Sequence, residues 1–105
     1  MKSLAEYAIL VVDDDSMVRS IVVEYLKKFG FTDVTDVRNG RKAIALMNNQ
    51  KHYDLIISDW EMPEADGLTL LKAVRKNPLH RQTKFILVTS QTSQERIKIT
   101  QAAHW

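Results

Sequence analysis

The sequence predicts an α/β fold built on a parallel sheet, and three observations support that prediction. Four short segments rich in apolar and β-branched residues alternate with stretches whose apolar residues recur at helical spacing. The first segment, 8–12, is apolar throughout, as expected of a strand buried on both faces. The length of 105 residues suffices for one core but not for two. We therefore expect one α/β domain spanning 1–105.

The first two strand-helix units follow from periodicity and from capping residues. After the strand at 8–12, Ser16 is the candidate N-cap of a helix, and Gly30 is its candidate C-cap. The apolar positions between them recur at helical spacing: Val18, Ile21, Val22, Tyr25, Leu26 and Phe29. A second strand is predicted at 34–37, and the turn at Asn39-Gly40 leads into a second helix.

The second half of the chain repeats this alternation. A third strand is predicted at 54–58, followed by an acidic loop at 59–67 and a helix that should end before Pro78. A fourth strand is predicted at 85–89. Residues 92–95 have the spacing of a capping box, so a last helix is expected to run towards Ala103.

Composition excludes several classes of protein. Apolar residues make up 45% and charged residues 27% of the chain, which is typical of a globular domain. Without cysteine there is no disulfide scaffold or thiolate metal site, and a cytoplasmic location is expected. The net charge of +2, with basic residues scattered, does not indicate nucleic-acid binding. No apolar run approaches membrane-spanning length, so no membrane association is expected.

Polar residues follow three of the four predicted strands. Acids stand at 13–15 after the first strand, Asp59 follows the third, and Thr89 closes the fourth. In an open parallel sheet, ligands bind outside the carboxyl ends of the strands. Carboxylates that meet there repel one another unless a cation neutralises them, and Mg²⁺ suits an all-oxygen site. A carboxylate beside such a metal can act as a nucleophile towards phosphorus, as in aspartyl-phosphate enzymes, with the metal neutralising charge on the transferred group.

Two motifs identify the chain as resembling the receiver domains of response regulators, of the CheY type found in chemotaxis. The first is Val-Val-Asp-Asp-Asp-Ser at 11–16; the second is Asp-Trp-Glu-Met-Pro-Glu-Ala-Asp-Gly at 59–67. The resemblance covers essentially the whole chain. It implies a flavodoxin-like, three-layer α/β/α fold with strand order 2-1-3-4, a fifth strand and fifth helix being absent from this sequence. It also implies two-component signalling rather than an enzyme.

The resemblance assigns a role to five residues. Asp59 would accept phosphate from a histidine kinase or a phosphotransfer protein, and Thr89 would contact the phosphoryl group and act as the switch. Asp14 would bind Mg²⁺ directly and Asp13 would help through water, together with the Asp59 carboxylate and the backbone carbonyl of Glu61. The downstream protein effector is not defined by the sequence.

Neighbouring residues are interpreted as structural. Asp15 is expected to be solvated or to cap a helix, and Trp60 is expected to pack within its loop. The pairs Met62-Pro63 and Asp66-Gly67 are expected to shape the loop, because proline fixes φ and glycine lets the backbone turn. The three histidines have no partners at metal-ligand spacing and are expected at the surface: His52, His80 and His104.

The chain departs from the family pattern at one point. Receiver domains carry a lysine followed by proline at the end of a fifth strand, whereas only Pro63 and Pro78 occur here, neither preceded by lysine. Lys84 and Lys98 stand at unsuitable places to substitute. We therefore expect a receiver domain truncated before its last strand and helix. Its fourth strand would be an exposed apolar edge, which favours a homodimer through that edge or by exchange of elements.

Two alternatives to an ordinary phosphoacceptor remain open. One is a phosphorylation-impaired interaction or dimerisation module, or a fragment of a longer response regulator. The other is a phosphatase resembling the haloacid dehalogenases, in which Asp13 would be the nucleophile and Asp15 its partner. That second signature requires threonine or valine where Met17 stands, and the chain lacks room for the remaining motifs of such an enzyme.

Overall fold

The computed structural model describes residues 2–49, 51–62 and 65–88. The strands are β1 (Ala8–Val12), β2 (Asp33–Val37), β3 (Leu55–Asp59) and β4 (Lys84–Val88). The helices are α1 (Ser16–Phe29), α2 (Gly40–Met47) and α3 (Gly67–Lys76). Short 3₁₀ turns, which the sequence pattern did not predict, occupy Leu4–Glu6 and Pro78–His80. The last predicted helix, 92–103, lies outside the described residues.

The four strands form one parallel sheet in the order β2-β1-β3-β4. This confirms the predicted fold class and strand order. Right-handed crossovers place α1 on one face of the sheet, since it leads from β1 outward to β2. They place α2 and α3 on the opposite face, because those connections run in the other direction across the sheet. Among the described residues, no helix has the length and apolar character needed to cross a membrane.

The main core lies between the sheet and the pair α2 and α3. Leu10 and Leu70 are fully buried there, and Phe85 and Leu87 of β4 point into the same layer. Burial alternates along β4, so only one of its faces is covered. Ile86 and Val88 remain 46% and 48% exposed, because within the described residues nothing covers their face of β4.

Capping residues set the ends of α1. The N-cap is Asp15 rather than Ser16, because the Asp15 carboxylate accepts hydrogen bonds from the backbone N–H groups of Met17 and Val18. Gly30 ends the helix with φ 114°, a left-handed conformation that glycine adopts without steric cost. The predicted C-cap is confirmed, and the N-cap lies one residue before the predicted one.

His80 is buried, which corrects the prediction of a surface histidine. Its side chain is 0% exposed, and its Nε2 accepts a hydrogen bond from the backbone N–H of Tyr53 at 3.3 Å. The ring stacks on His52, which is exposed as predicted, with 5.7 Å between ring centroids. Burial lowers the pKa of His80, and the nearby His52 lowers it further. The 3₁₀ turn at Pro78–His80 directs this ring inward, and no periodicity reveals that.

We expect the free energy of unfolding to decrease as the pH is lowered below about 6.5, the ordinary histidine value. The pKa of His80 is lower in the folded state than in the unfolded chain, so folding favours the neutral ring. That contribution is fully present above the unfolded pKa and is lost as the pH falls towards the folded one. Denaturation of wild type and His80→Gln between pH 7.5 and 5.5 tests this. Equal pH slopes for wild type and His80→Gln would contradict it.

Candidate functional site

The candidate site lies where β1 and β3 end side by side. Val12 is paired with Ser58 in the parallel register, so the next residue on each strand, Asp13 and Asp59, emerges at the same edge. Asp14 follows directly. One carboxylate oxygen from each of Asp13, Asp14 and Asp59 lies within 4.8 Å of the others. Asp13 and Asp59 are 46 positions apart in the sequence, so it is the fold that brings the three acids together.

Electrostatic repulsion and partial burial mark this cluster. The pKa of Asp59 is raised, first by burial and then by the negative charge of Asp13, while a backbone hydrogen bond from Glu61 opposes the shift. The pKa of Asp13 is also raised by burial, against a hydrogen bond from the backbone N–H of Asp15 at 2.9 Å. Asp14 is exposed to solvent. A cation bound among these oxygens would relieve the repulsion.

The loop after β3 is held by backbone hydrogen bonds. The N–H of Trp60 donates to the carbonyl of Val88, and the N–H of Gly67 donates to the carbonyl of Trp60, both at 2.8 Å. Trp60 is 9% exposed and belongs to the core, which agrees with its predicted packing role. Glu61 is exposed. Residues 63 and 64 lie outside the described part of the chain.

Gly67 has a different role from the one predicted. It is the first residue of α3, capped by the Asp66 side chain, which accepts from the N–H of Thr69. A Cβ at Gly67 would lie 2.5 Å from the backbone oxygen of Asp59 and 2.5 Å from the Leu87 side chain. Glycine is therefore required here by space and not by an unusual backbone conformation.

Thr89, the predicted phosphoryl contact, lies outside the described residues, as does His104. The structure does describe the residue before it: Val88 is paired with Asp59 and ends β4 at the edge that carries the acids. Asp15 is used as the cap of α1, so its carboxylate serves the helix rather than the cluster. This agrees with the capping role expected for it.

Arg19 belongs to the site although sequence reasoning did not select it. Its guanidinium donates to the backbone oxygen of Asp13 and to the carboxylate of Asp36, both at 2.7 Å. Basic residues on amphipathic helices usually lie on solvated faces, so the pattern gave no reason to single out this one. Its position one turn after the acids was the only available signal.

The structure thus combines a parallel α/β sheet with three convergent carboxylates at its carboxyl edge, one of them on the third strand, which is the place where open sheets of this kind bind ligands. The sequence matches the family described as response regulator receiver domain over residues 9–104. The chain belongs to this family, whose members act in two-component signal transduction.

Named relatives agree with this assignment. The chain is 38% identical over 90 residues to the probable chemotaxis protein CheY of Rhizobium etli, covering 85% of this chain and 69% of the relative. It is 32% identical over 89 residues to the chemotaxis protein CheY of Pseudomonas aeruginosa, covering 85% of this chain and 71% of that one.

Solved structures agree as well. The chemotaxis protein CheY4 of Vibrio cholerae superposes with a TM-score of 0.83 at 32% identity, covering 92% of this chain and 79% of that chain. The receiver domain of the histidine kinase CKI1 from Arabidopsis thaliana, solved with Mg²⁺ and BeF₃⁻, gives 0.78 at 26% identity, with 95% and 77% covered. The predicted resemblance to CheY-like receiver domains is confirmed.

Proposed function

We propose that this receiver domain accepts a phosphoryl group on Asp59, in a reaction that requires Mg²⁺. The observation that supports this most strongly is the convergence of the Asp13, Asp14 and Asp59 carboxylates within 4.8 Å. Asp59 alone of the three lies on β3, at the head of the loop that the Trp60 and Gly67 hydrogen bonds hold in place. Its carboxylate is partly buried and faces the two acids that follow β1.

The donor set fits a magnesium ion. All the side-chain donors are carboxylate oxygens, and no imidazole or thiolate belongs to the cluster within the described residues. Hard cations of this type prefer such ligands. When bound, Mg²⁺ would neutralise charge on the transferred phosphoryl group. We assign Asp14 and the Asp59 carboxylate as direct ligands, Asp13 as a ligand through water, and the backbone carbonyl of Glu61 as a further donor.

The remaining roles concern the phosphoryl donor. A histidine kinase or phosphotransfer protein would present a phosphohistidine. An Asp59 carboxylate oxygen would attack phosphorus, forming the new oxygen–phosphorus bond while the nitrogen–phosphorus bond breaks and the imidazole leaves. Thr89 would then donate its hydroxyl to a phosphoryl oxygen.

The relatives act in chemotaxis by name, so a cytoplasmic chemotaxis output through a protein partner is the corresponding proposal for this chain.

Labelling by a small phosphodonor tests the proposal. Incubation with acetyl phosphate and Mg²⁺ should add one phosphoryl group, which borohydride reduction and mass spectrometry should map to Asp59. Removing Mg²⁺ with EDTA should suppress the reaction. Labelling that maps elsewhere, or that proceeds equally in EDTA, would refute the assignment.

The cluster should bind Mg²⁺ before any phosphorylation, and Asp14→Ala should weaken this binding at least 10-fold. Asp14 is exposed and caps no helix, so its replacement removes a proposed ligand without disturbing the core. Trp60 fluorescence and the NMR shifts of residues 13, 14 and 59 would report the binding. Glu24→Ala, an exposed acid on α1, is the matched control and should bind like wild type. Equal affinities for all three proteins would contradict the ligand assignment.

A second candidate function, association with another copy, is favoured by the exposed face of β4. Ile86 and Val88 are about half exposed, and within the described residues β4 pairs only with β3. Burying apolar area contributes about 25 cal/mol per Å² before association costs, which favours a dimer through this edge or by exchange of elements. Sedimentation across a concentration series measures this. A folded monomer of 12.1 kDa at high micromolar concentration would refute it.

A further inference from the structure

Arg19 links the acidic segment 13–15, which follows β1, to β2. It lies in the first turn of α1, and its side chain is only 19% exposed. The Nη1 group donates to the backbone oxygen of Asp13, and the Nε group donates to the Asp36 carboxylate on β2, each at 2.7 Å. A guanidinium is planar, so two bonds at fixed angles determine its position far better than one.

The contact with Asp13 is significant because of the peptide group that it fixes. The Asp13 oxygen and the Asp14 nitrogen belong to one planar peptide unit, so holding that oxygen restricts the direction in which Asp14 leaves the backbone. On the other side of the residue, the N–H of Asp13 donates to the carbonyl of Val37 at 3.2 Å. The Asp13 carboxylate accepts from the N–H of Asp15. Arg19 therefore completes the set of contacts that orient both acids.

We propose that Arg19 is a positioning residue: its guanidinium holds the Asp13–Asp14 peptide so that the two carboxylates present their oxygens to a shared divalent cation. This inference deepens the proposed function and rests on the Mg²⁺ site that is part of it. It does not depend on the ion pair as a source of stability, because Asp36 is 44% exposed and exposed pairs contribute little.

The charge of Arg19 and its hydrogen bond to Asp13 predict opposite changes in Mg²⁺ affinity when Arg19 is replaced, so the proposal can be tested. A guanidinium close to a cation site repels the cation, so loss of its charge alone would tighten Mg²⁺ binding. Loss of the hydrogen bond to the Asp13 oxygen would instead release the segment that carries Asp13 and Asp14, and this would weaken binding. Replacing groups that orient metal ligands typically costs about 10–100-fold in metal affinity.

The experiment measures Mg²⁺ affinity by calorimetry for wild type, Arg19→Gln, Arg19→Lys and Lys27→Gln. Lys27→Gln removes one positive charge from an exposed position on the same helix and is the matched control. We expect Arg19→Gln to bind Mg²⁺ at least 10-fold more weakly than wild type, and Lys27→Gln to bind as tightly or slightly more tightly. Arg19→Lys retains the charge but not the planar pair of donors, so it should also bind more weakly than wild type.

A second measurement needs no metal. The ¹⁵N chemical shift of the Asp14 amide responds to hydrogen bonding at the preceding carbonyl. In metal-free protein it should therefore differ from the wild-type value in Arg19→Gln and equal it in Lys27→Gln. Unchanged or tighter Mg²⁺ binding by Arg19→Gln, with an unmoved Asp14 amide, would overturn the proposal. If wild type binds Mg²⁺ but is never labelled on Asp59, the proposed function fails while the positioning role stands. If wild type binds no Mg²⁺, both fail.

Discussion

Asp59→Asn is expected to abolish labelling by acetyl phosphate while the domain stays folded. The amide has nearly the same shape as the carboxylate, but it lacks the anionic oxygen that would attack phosphorus. Labelling should fall at least 100-fold, measured by mass spectrometry of the intact protein. The same change should also weaken Mg²⁺ binding, because it removes one of the three clustered carboxylates.

The same variant should be more stable than wild type when no metal is present. The pKa of Asp59 is raised in the folded state, mainly by burial and next by Asp13, so the fold favours the protonated acid. Its stabilising contribution is therefore present at low pH and is lost as the pH rises through the unfolded value and then the folded one. At pH 7 the amide removes a like-charge repulsion of about 1 kcal/mol.

Asp13→Asn is the comparison variant for the labelling and the stability of Asp59→Asn. It should also stabilise the metal-free protein, since the pKa of Asp13 is raised by burial and by Asp14. Labelling should be slower, because Asp13 is a proposed Mg²⁺ ligand through water, but the label should still fall on Asp59. Label that persists in Asp59→Asn and disappears in Asp13→Asn would identify Asp13 as the nucleophile, which is the result that the phosphatase alternative predicts.

The second large effect is expected from Gly67→Ala. Alanine normally stabilises a helix relative to glycine by about 0.5–1 kcal/mol. Here its Cβ would lie 2.5 Å from the backbone oxygen of Asp59, and that oxygen cannot move without displacing Asp59, the proposed phosphoacceptor. Overpacking of this kind costs about 1–3 kcal/mol, so we expect a net loss of stability measured by chemical denaturation.

Gly67→Ala should also reduce the rate of Asp59 labelling, which a purely local loss of stability would not do in protein that remains folded. Lys72→Ala, an exposed position in the middle of α3, is the matched control and should change stability by less than about 0.5 kcal/mol. A Gly67→Ala protein that is more stable than wild type and is labelled normally would show that the contact does not constrain the site.

The local pattern was sufficient to predict much of the fold. A continuous apolar run defined β1, helical spacing defined α1, and Gly30 ended that helix as expected. β2 and β4 each begin one residue earlier than predicted and β3 lies one residue later, because the register with neighbouring strands decides which residues pair. The strand order came from the resemblance to receiver domains and was confirmed by the structure.

The candidate site was predictable in its acids but not in its supporting groups. Asp13 and Asp14 follow β1 and Asp59 is the last residue of β3, and parallel strands carry residues at such positions to one edge of the sheet. Arg19 donates to the Asp13 oxygen at the site, and its guanidinium is also held by Asp36 of β2 at 2.7 Å, a contact that depends on the packing of α1 beside β2. Nothing in the spacing of basic residues encodes that contact.

The sequence by itself determined the elements and the chemical character of the site, because strand and helix periodicity and the acids at strand ends depend on neighbouring residues alone. Only the tertiary structure decided that His80 is buried against Tyr53 and that Gly67 must lack a side chain beside Asp59. Each of these results depends on which distant segments meet. Burial and steric space are set by contacts between segments that are distant in the sequence, so a local pattern does not contain them.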